Sequence, residues 1–356
     1  MASSRARSGK FVWATVCCAT LLALSLSACS NSHTKNNAAT GIPTPKPGVV
    51  AAFSLPTGHR AAQAADDPLF GEATADRSGN IYMTAGTAGV NKIVRLSPVG
   101  KATSLSIPGP ADGGSSPIAG MTTTLDGDLL VGRSKNIYRV TPSGKSKEVI
   151  KTRVSNPSPI GVRPDGSIAV EGDGSLWSIA HGKTSLLFKG SASDAEDLAT
   201  VRGKLRGAVD TSGTIYAAVG MHFPDMVVIP RGKKPHRWAL RGNVPGTSVP
   251  LSTLTPLTLA QAHDGGVYVL AASGFPTSNH SSGYVLFIKG NVVKLLAKAP
   301  FKGDSRACSP GKEYSVHHIP CPLPWYVVQS GNRVLLLGDH KSGSRISPLA
   351  LRADPK

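Results

Sequence analysis

Short runs of alternating apolar and polar residues, each preceded by a turn that contains glycine, recur along most of the chain. Alternation with a period of two places one set of side chains on each face of a β-strand. The clearest copies cover residues 76–83, 125–131, 164–170, 210–216, 263–269 and 330–336. Their turn glycines, from Gly79 to Gly331, are spaced by 48, 39, 47, 52 and 66 residues. The pattern predicts a repeated β-hairpin unit.

The residues at and after these turns favour hairpins on chemical grounds. Asp, Asn and Gly accept the positive φ angles that tight turns need, and β-branched or aromatic residues suit a pleated sheet. In the first two units another pair of strands follows, joined by a Pro-x-Gly turn, over residues 91–107 and 136–150. Units of about 40–50 residues with about four strands each are typical of propeller blades. We therefore predict an all-β fold, a six-bladed β-propeller.

The two ends of the repeat region predict how the ring closes. The last unit stops at its third strand, residues 345–351, and residues 49–55 form a spare strand before the first unit. Pairing these strands would complete the sixth blade and remove two open sheet edges. A seven-bladed ring would need a blade that the sequence does not show.

One repeat pattern resembles a known family. Asp-x-x-Gly-Asn-Ile-Tyr at residues 76–82, followed by Ile-x-Arg-Leu-x-Pro-x-Gly at residues 93–100, resembles NHL-type propeller repeats. The resemblance is good over the first two blades and looser over the others, where insertions follow Gly220, Ser273 and Phe301. The family consists mainly of binding platforms, with some lyases and lactonases among its members or relatives. The resemblance therefore implies a fold more strongly than an activity.

The N-terminus has the pattern of an export signal. Arg5, Arg7 and Lys10 precede an apolar run that ends in small residues, as in a secretory signal peptide. Residues 26–29 (Leu-Ser-Ala-Cys) resemble the lipobox of bacterial lipoproteins, in which the Cys is acylated and becomes the first residue. We expect a signal peptide over residues 1–28 and a lipid on Cys29. A plain signal peptide and an uncleaved anchor helix are the alternatives.

The segment after Cys29 has almost nothing to bury. Residues 29–48 are rich in polar residues and proline, which predicts a flexible tether before a propeller over residues 49–356. These features predict a protein that is anchored by lipid to the extracytoplasmic face of the cell membrane.

Composition and charge limit the classes of partner that we expect. The 356 residues include 39 Lys or Arg against 21 Asp or Glu, and loss of residues 1–28 lowers the net charge from +18 to +15. Basic residues cluster at residues 202–206 and 231–237, either as solvated hairpin tips or as contacts with lipid headgroups and wall polymers. Aromatic residues make up only 5% and do not interleave with these cations, so we expect no nucleic-acid partner.

The late cysteines form a single pair. Cys308 and Cys321 remain after export, and in an oxidising compartment a disulfide is the simplest expectation. Together with His317 and His318 they could instead hold zinc, although adjacent histidines rarely contact one ion. The surrounding segment, residues 300–325, is predicted to be a long loop. If it crosses a propeller face, it would lie near the channel mouth and could carry a ligand site.

The sequence contains no recognisable catalytic motif, whether phosphate loop, dinucleotide fingerprint, Gly-x-Ser-x-Gly or His-Glu-x-x-His. Relatives of gluconolactonases and streptogramin lyases hold a divalent metal at the mouth of the channel. The residues that could do so here are Glu72, Glu171, Asp173, Glu196, His222, His263 and Asp339. Glu72 precedes Gly79 by seven residues, roughly where an inner strand would begin, but its surroundings lack the Glu-Gly-Pro of the lactonase relatives. Each candidate is also explained as an ordinary turn or rim residue, so we assign no catalytic, cofactor or metal residue.

Two functions follow from these observations. The first is a non-catalytic, monomeric binding platform for a protein or cell-envelope partner. The alternative is a metal-dependent hydrolase or lyase, similar to lactonases, that acts at the central channel. The sequence identifies neither the partner nor a substrate.

Replacing Cys29 with Ala tests the lipid anchor. Because the thiol is the acceptor of the lipid, the variant should either appear in the medium or persist as the uncut precursor. Membrane fractionation and mass spectrometry of the N-terminus measure both outcomes. A Cys29→Ala protein that is still cut at this position and still retained in membranes would contradict the assignment.

Overall fold

Six antiparallel sheets account for nearly all of the regular structure. In this computed structural model the described residues are 41–55, 72–85, 92–107, 118–190, 206–218, 226–238, 240–274, 282–338 and 347–353. Five sheets have four strands and the sixth has five. Neighbouring sheets contact one another through their first strands, so the fold is a six-bladed β-propeller, as predicted. None of the described segments forms a helix of the length and apolarity that a membrane span requires.

The blades follow one another along the chain, each counted from its innermost strand. Blade 1 contains β2 (Ala73–Ala75), β3 (Ile81–Ala85), β4 (Lys92–Leu96) and β5 (Ala102–Ser106). Blade 2 contains β6 (Ile118–Thr123), β7 (Leu129–Arg133), β8 (Asn136–Val140) and β9 (Ser146–Lys151). Blade 3 contains β10 (Ser158–Val162), β11 (Ile168–Gly172), β12 (Ser175–Ala180) and β13 (Lys183–Lys189).

The second half of the ring is less regular. Blade 4 contains β14 (Arg206–Val209), β15 (Ile215–Ala218), β16 (Met226–Ile229) and β17 (His236–Arg237). Blade 5 contains β18 (Leu254–Gln261), β19 (Val267–Ser273), β20 (Ser282–Lys289) and β21 (Val292–Pro300). Blade 6 contains β23 (Tyr326–Ser330), β24 (Arg333–Leu337), β25 (Leu349–Arg352), β1 (Val49–Ala52) and β22 (Glu313–Ser315). Short 3-10 helices cover Leu251–Thr253 and Ser305–Ala307.

The Asp-x-x-Gly turns of blades 1 and 4 are held by their own carboxylates. In blade 4, Asp210 accepts hydrogen bonds from the backbone N–H groups of Ser212 and Thr214 at 2.9 Å. The Tyr216 hydroxyl, on the strand that follows, donates to the same carboxylate at 3.3 Å. Burial, together with this carboxylate, raises the pKa of Tyr216 to about 12. Blade 1 repeats the arrangement with Asp76, so the motif fixes both the turn and the strand after it.

Glycines let the inner strands approach one another at the centre of the ring. A Cβ atom on Gly161 of β10 would overlap the side chain of Val209 on β14. One on Gly207 of β14 would crowd Ile160 of β10, and one on Gly120 of β6 would overlap Ser158. Side chains therefore cannot be added at these positions without moving blades apart.

The ring closes as the sequence predicted, by pairing of strands from the two ends of the repeat region. Val50 of β1 pairs with Leu351 of β25, in antiparallel register. On the other side of the same boundary, the Ser330 hydroxyl of blade 6 donates to the Gly79 carbonyl of blade 1 at 2.7 Å. The sixth blade is thus built from both ends of the chain.

The two faces of the propeller differ in their connections. Because strands within a blade are antiparallel, the turn after the first strand and the turn after the third strand lie at one end of the blade. We call this end the turn face. The incoming chain also enters there, since β1 begins beside the end of β25. Ile42, upstream of β1, is buried, and its carbonyl accepts a hydrogen bond from Arg333 at 2.8 Å.

Cys308 and Cys321 form a disulfide, with a Cα–Cα distance of 5.4 Å. Both cysteines are buried in the apolar core that blades 5 and 6 share. The chain between them includes β22, which pairs with the outer edge of β1. The disulfide therefore supports an extra strand on the blade that closes the ring, and the zinc alternative is wrong because the two sulfurs are bonded to each other.

Removing the disulfide should loosen β22 without unfolding the blades. The N–H of Ala52 donates to the Lys312 carbonyl at 2.9 Å, whereas the N–H of Phe53 donates to the Pro348 carbonyl at 2.9 Å. In a Cys308→Ala, Cys321→Ala variant, exchange of the Ala52 amide should accelerate by up to about a hundredfold, the limit set by a loop-closure contribution of ~3 kcal/mol. Hydrogen exchange measured by NMR distinguishes the two amides. Equal acceleration at Phe53 and across blades 1–4 would show that the disulfide supports the whole fold.

Candidate functional site

A narrow channel runs along the propeller axis, lined by the first strand of every blade. It encloses about 160 Å³. Its walls are mostly backbone, small or aliphatic side chains, and neutral polar groups, among them Thr74, Thr122, Thr258, Gln261 and Gln329. The close approach that the inner glycines allow is the reason that the channel is narrow.

The ionisable groups of the channel lie at its two mouths. Glu72 immediately precedes β2, and Arg77 follows β2 at the turn face. His263 is in the turn after β18 and also lines the channel at the turn face. The channel therefore has the Glu72 carboxylate and Tyr326 at one end, and the Arg77 guanidinium and the His263 imidazole at the other, separated by the length of a strand.

Gln329 fixes the position of the His263 turn. Its Oε1 accepts a hydrogen bond from the His263 backbone N–H at 2.7 Å, and its Nε2 donates to the Gly331 carbonyl at 3.0 Å. One side chain of β23 thus links the turns of blades 5 and 6. Burial lowers the pKa of the His263 imidazole, and the positive charge of Arg77 lowers it further, against a smaller opposing contribution from Asp264.

The structure does not bring the described metal-ligand candidates together at one site. Glu72 lies at the start of an inner strand, as predicted, and His263 also reaches the channel. Glu171 is buried on β11, away from the channel lining. Asp173 lies at the end of blade 3 that is opposite the turn face. It accepts a hydrogen bond from the Ser155 backbone N–H at 3.2 Å. The remaining candidates, Glu196, His222 and Asp339, lie outside the described residues.

Within the described segments, no three His, Cys, Asp or Glu side chains converge as a metal site would require. The channel residues that were not among the candidates include the charged Arg77 and the neutral Gln261 and Gln329. No motif surrounds the two glutamines. Their only signal is their position at the end of an alternating strand, just before a turn.

The loop predicted over residues 300–325 does not cross the channel mouth as a rigid lid. Its residues 313–315 form β22 at the edge of blade 6, and Phe301, Ile319 and Leu323 pack into the core that blades 5 and 6 share. Only its last residue, Trp325, lines the channel, and the Trp325 ring contacts Phe301 edge-on at 5.8 Å. His317 and His318 are exposed on the outside of the blade. The middle of the loop is therefore a strand at the edge of blade 6, and among its residues Trp325 alone reaches the channel lining.

The two predicted basic clusters differ in their placement. Residues 231–237 form the exposed turn between β16 and β17 and the short strand β17 itself. Residues 202–205 of the other cluster lie outside the described residues, and Arg206 begins β14.

Comparison with solved structures supports the fold. A protein of unknown function from Bacteroides thetaiotaomicron matches with a TM-score of 0.55 at 9% identity, over 85% of this chain and 75% of that chain. A virginiamycin B lyase from Staphylococcus aureus matches with a TM-score of 0.47 at 14% identity, over 79% and 80% of the two chains. A calcium-binding protein, regucalcin, from Agrobacterium tumefaciens matches with a TM-score of 0.48 at 13% identity, over 87% and 95%.

These identities are too low to transfer an activity, so the likeness concerns the fold alone. No protein-family model matches the sequence, and neither does any curated protein.

The environment of His263 makes a testable prediction. Because its pKa is lowered, the imidazole should stay neutral below the ordinary value of about 6.5, and the free energy of unfolding should fall as the pH drops below that value. Replacing Arg77 with Gln should raise the pKa part of the way, since the burial remains. NMR titration of the imidazole proton measures this shift. A Lys135→Gln variant, with the same charge change at the opposite face, should leave the pKa unchanged; an unaltered pKa in Arg77→Gln would contradict the assignment.

Proposed function

We propose that the protein is a non-catalytic binding platform, a six-bladed propeller that a lipid on Cys29 holds at the extracytoplasmic face of the cell membrane. Its partner is a protein or another component of the cell envelope. The partner contacts a face of the propeller, where turns and connections from several blades come together.

The size of the channel is the observation that carries this proposal. Pockets that enclose small molecules are typically about 300–1,000 Å³, whereas the described channel encloses about 160 Å³. The inner glycines hold β10 and β14 in direct contact, so widening the channel would require blades to separate. This geometry favours a large partner on a face over a small molecule enclosed in the channel.

The chemistry of the channel lining agrees with a binding role. General acid–base catalysis needs at least one group within hydrogen-bond reach of the reacting atom, and usually a second that is placed to complement it. Here Glu72 and the pair Arg77 and His263 lie at opposite mouths of the channel. The pKa of His263 is lowered by its burial and by Arg77, which together outweigh the opposing contribution of the Asp264 carboxylate.

The metal-dependent hydrolase or lyase is the competing function, and metal binding separates the two. The experiment uses the mature-length protein, purified without chelators, and measures bound metal by mass spectrometry and the melting temperature with added CaCl₂ or ZnCl₂. The binding platform predicts metal well below one equivalent and no metal-dependent rise in melting temperature. Stoichiometric metal that is lost in Glu72→Gln would establish the enzyme instead.

A second measurement tests the binding role directly. A photo-reactive amino acid replaces either Ser143 in a turn of the turn face or Lys135 in a turn of the opposite face, and cells are irradiated before membranes are solubilised. A binding platform should give adducts of one discrete mass from at least one of these positions. A buried position, Tyr284, is the matched control that should give none. The absence of discrete adducts from both faces would overturn the proposal.

A further inference from the structure

The outer turns of the turn face carry only positive charge. These turns join the third and fourth strands of blades 1–5; together with one adjoining strand residue in blade 3 and one in blade 5, they cover residues 97–101, 141–145, 181–183, 230–235 and 289–291. They contain seven Lys or Arg residues and no Asp or Glu. All seven are exposed, and we call them the basic rim: Lys101, Lys145, Lys183, Arg231, Lys233, Lys234 and Lys289. Each of the five blades contributes at least one.

The carboxylates of the same face lie nearer the axis and are largely occupied. Asp76 and Asp210 are buried beneath the inner turns, where they hold the turn backbone. Asp128 is also buried and pairs with Arg139 at 2.7 Å. The exposed carboxylates of the inner turns are Asp126, Asp165 and Asp264. Only one ion pair links these carboxylates to the basic rim among the described residues, Asp165 with Arg231 at 3.8 Å.

Exposed apolar side chains accompany the cations. Val99, at the tip of the outer turn of blade 1, is 76% exposed, and Leu125, in an inner turn, is 38% exposed. Both are on the turn face. An apolar tip among lysines suits the boundary between headgroups and acyl chains of a bilayer, whereas a soluble polyanion offers it nothing.

The N-terminal segment enters on this face as well. Ile42 packs beside Arg333 at the turn face, and β1 starts there. Only twelve residues separate Ile42 from Cys29. Fully extended they would span at most about 45 Å, and as a flexible chain about 20 Å on average. A lipid on Cys29 would therefore keep the turn face, and not the opposite face, next to the bilayer.

We infer that the basic rim binds the surface of an anionic phospholipid membrane, so that the turn face lies on the bilayer and the opposite face is presented to the partner. This inference rests on the proposed anchor at Cys29 for its orientation. Each cation near an anionic surface strengthens binding by about fivefold, within a screening length of about 8 Å at physiological salt. Several weak contacts spread over five blades would hold a flat face parallel to the membrane.

The described part of the opposite face carries both signs. Arg153 and Lys312 are exposed there, and so are Asp173, Asp304 and Glu313. Lys135 and Lys312 are exposed there and provide a matched pair for substitution.

The test uses the mature-length chain with Cys29→Ala, which carries no lipid, so that failure of the anchor cannot affect the result. Binding is measured by co-sedimentation with vesicles of phosphatidylglycerol and phosphatidylcholine, and with vesicles of phosphatidylcholine alone. We expect binding only to the anionic vesicles, weakened by salt. Lys233→Gln with Lys234→Gln should reduce the affinity roughly 10- to 30-fold. Lys135→Gln with Lys312→Gln removes the same charge from the opposite face and should change the affinity for anionic vesicles by less than about threefold.

Three outcomes would overturn the inference. Equal losses in the two double variants would mean that net charge alone drives binding. Binding to phosphatidylcholine vesicles, or to neither kind, would exclude an anionic lipid surface as the partner. Competition by soluble polyphosphate with no binding to anionic vesicles would point to a wall polymer instead. The anchor itself is judged separately, by the membrane fractionation of Cys29→Ala in cells.

Discussion

The pairing of β1 with β25 is the contact on which the rest of the structure depends. Every blade buries its two faces against its neighbours, so an open ring would expose the faces of the first and last blades to water. The pairing joins Val50 to Leu351 and so connects the start and the end of the folded region. The Ser330–Gly79 hydrogen bond fastens the same boundary nearer the axis. Closure therefore depends on backbone pairing at the periphery and on one buried hydroxyl close to the channel.

This closure also decides what surrounds the two ends of the chain. Because β1 is the fourth strand of blade 6, its outer edge would be free, and β22 from the disulfide-bonded connection covers it. Because β1 begins at the turn face, the upstream segment must arrive there, and Ile42 packs beside Arg333. Entry of the upstream segment at the turn face is thus a consequence of which strand closes the ring.

The channel shows how packing at the axis limits function. Inner strands can contact one another only where glycine or another small residue removes a side chain, as at Gly161 and Gly207. The resulting passage is narrow, and its ionisable groups are left at the two mouths. Large, chemically varied surfaces exist only on the faces, where turns and connections can change without disturbing the blades. This contrast between a narrow channel and variable faces is the reason that we propose binding on a face.

Most of the fold could be predicted from the sequence because the residues that determine each turn and strand are close together in the chain. The turn after each inner strand is specified within a few residues, as Asp210, Ser212 and Tyr216 show, and alternation specifies the strands on either side. Repetition of that unit then implies a propeller, and the spare terminal strand implies its closure. The disulfide between Cys308 and Cys321 was predicted from the expectation that export removes Cys17 and Cys18 and acylates Cys29.

Other features required the tertiary structure because they depend on residues far apart in the chain. Nothing local marks β22 as an edge strand, since its partner β1 lies more than two hundred residues earlier. His263 and Gln329 come from different blades, and their contact exists only once the ring has closed. The sequence also could not show that Glu72 lies at one mouth of the channel and Arg77 and His263 at the other, because the face on which a residue lies depends on the folded blades. The basic rim is the same kind of feature: each of blades 1–5 contributes at least one cation in or beside its outer turn, and the ring places these cations on one surface.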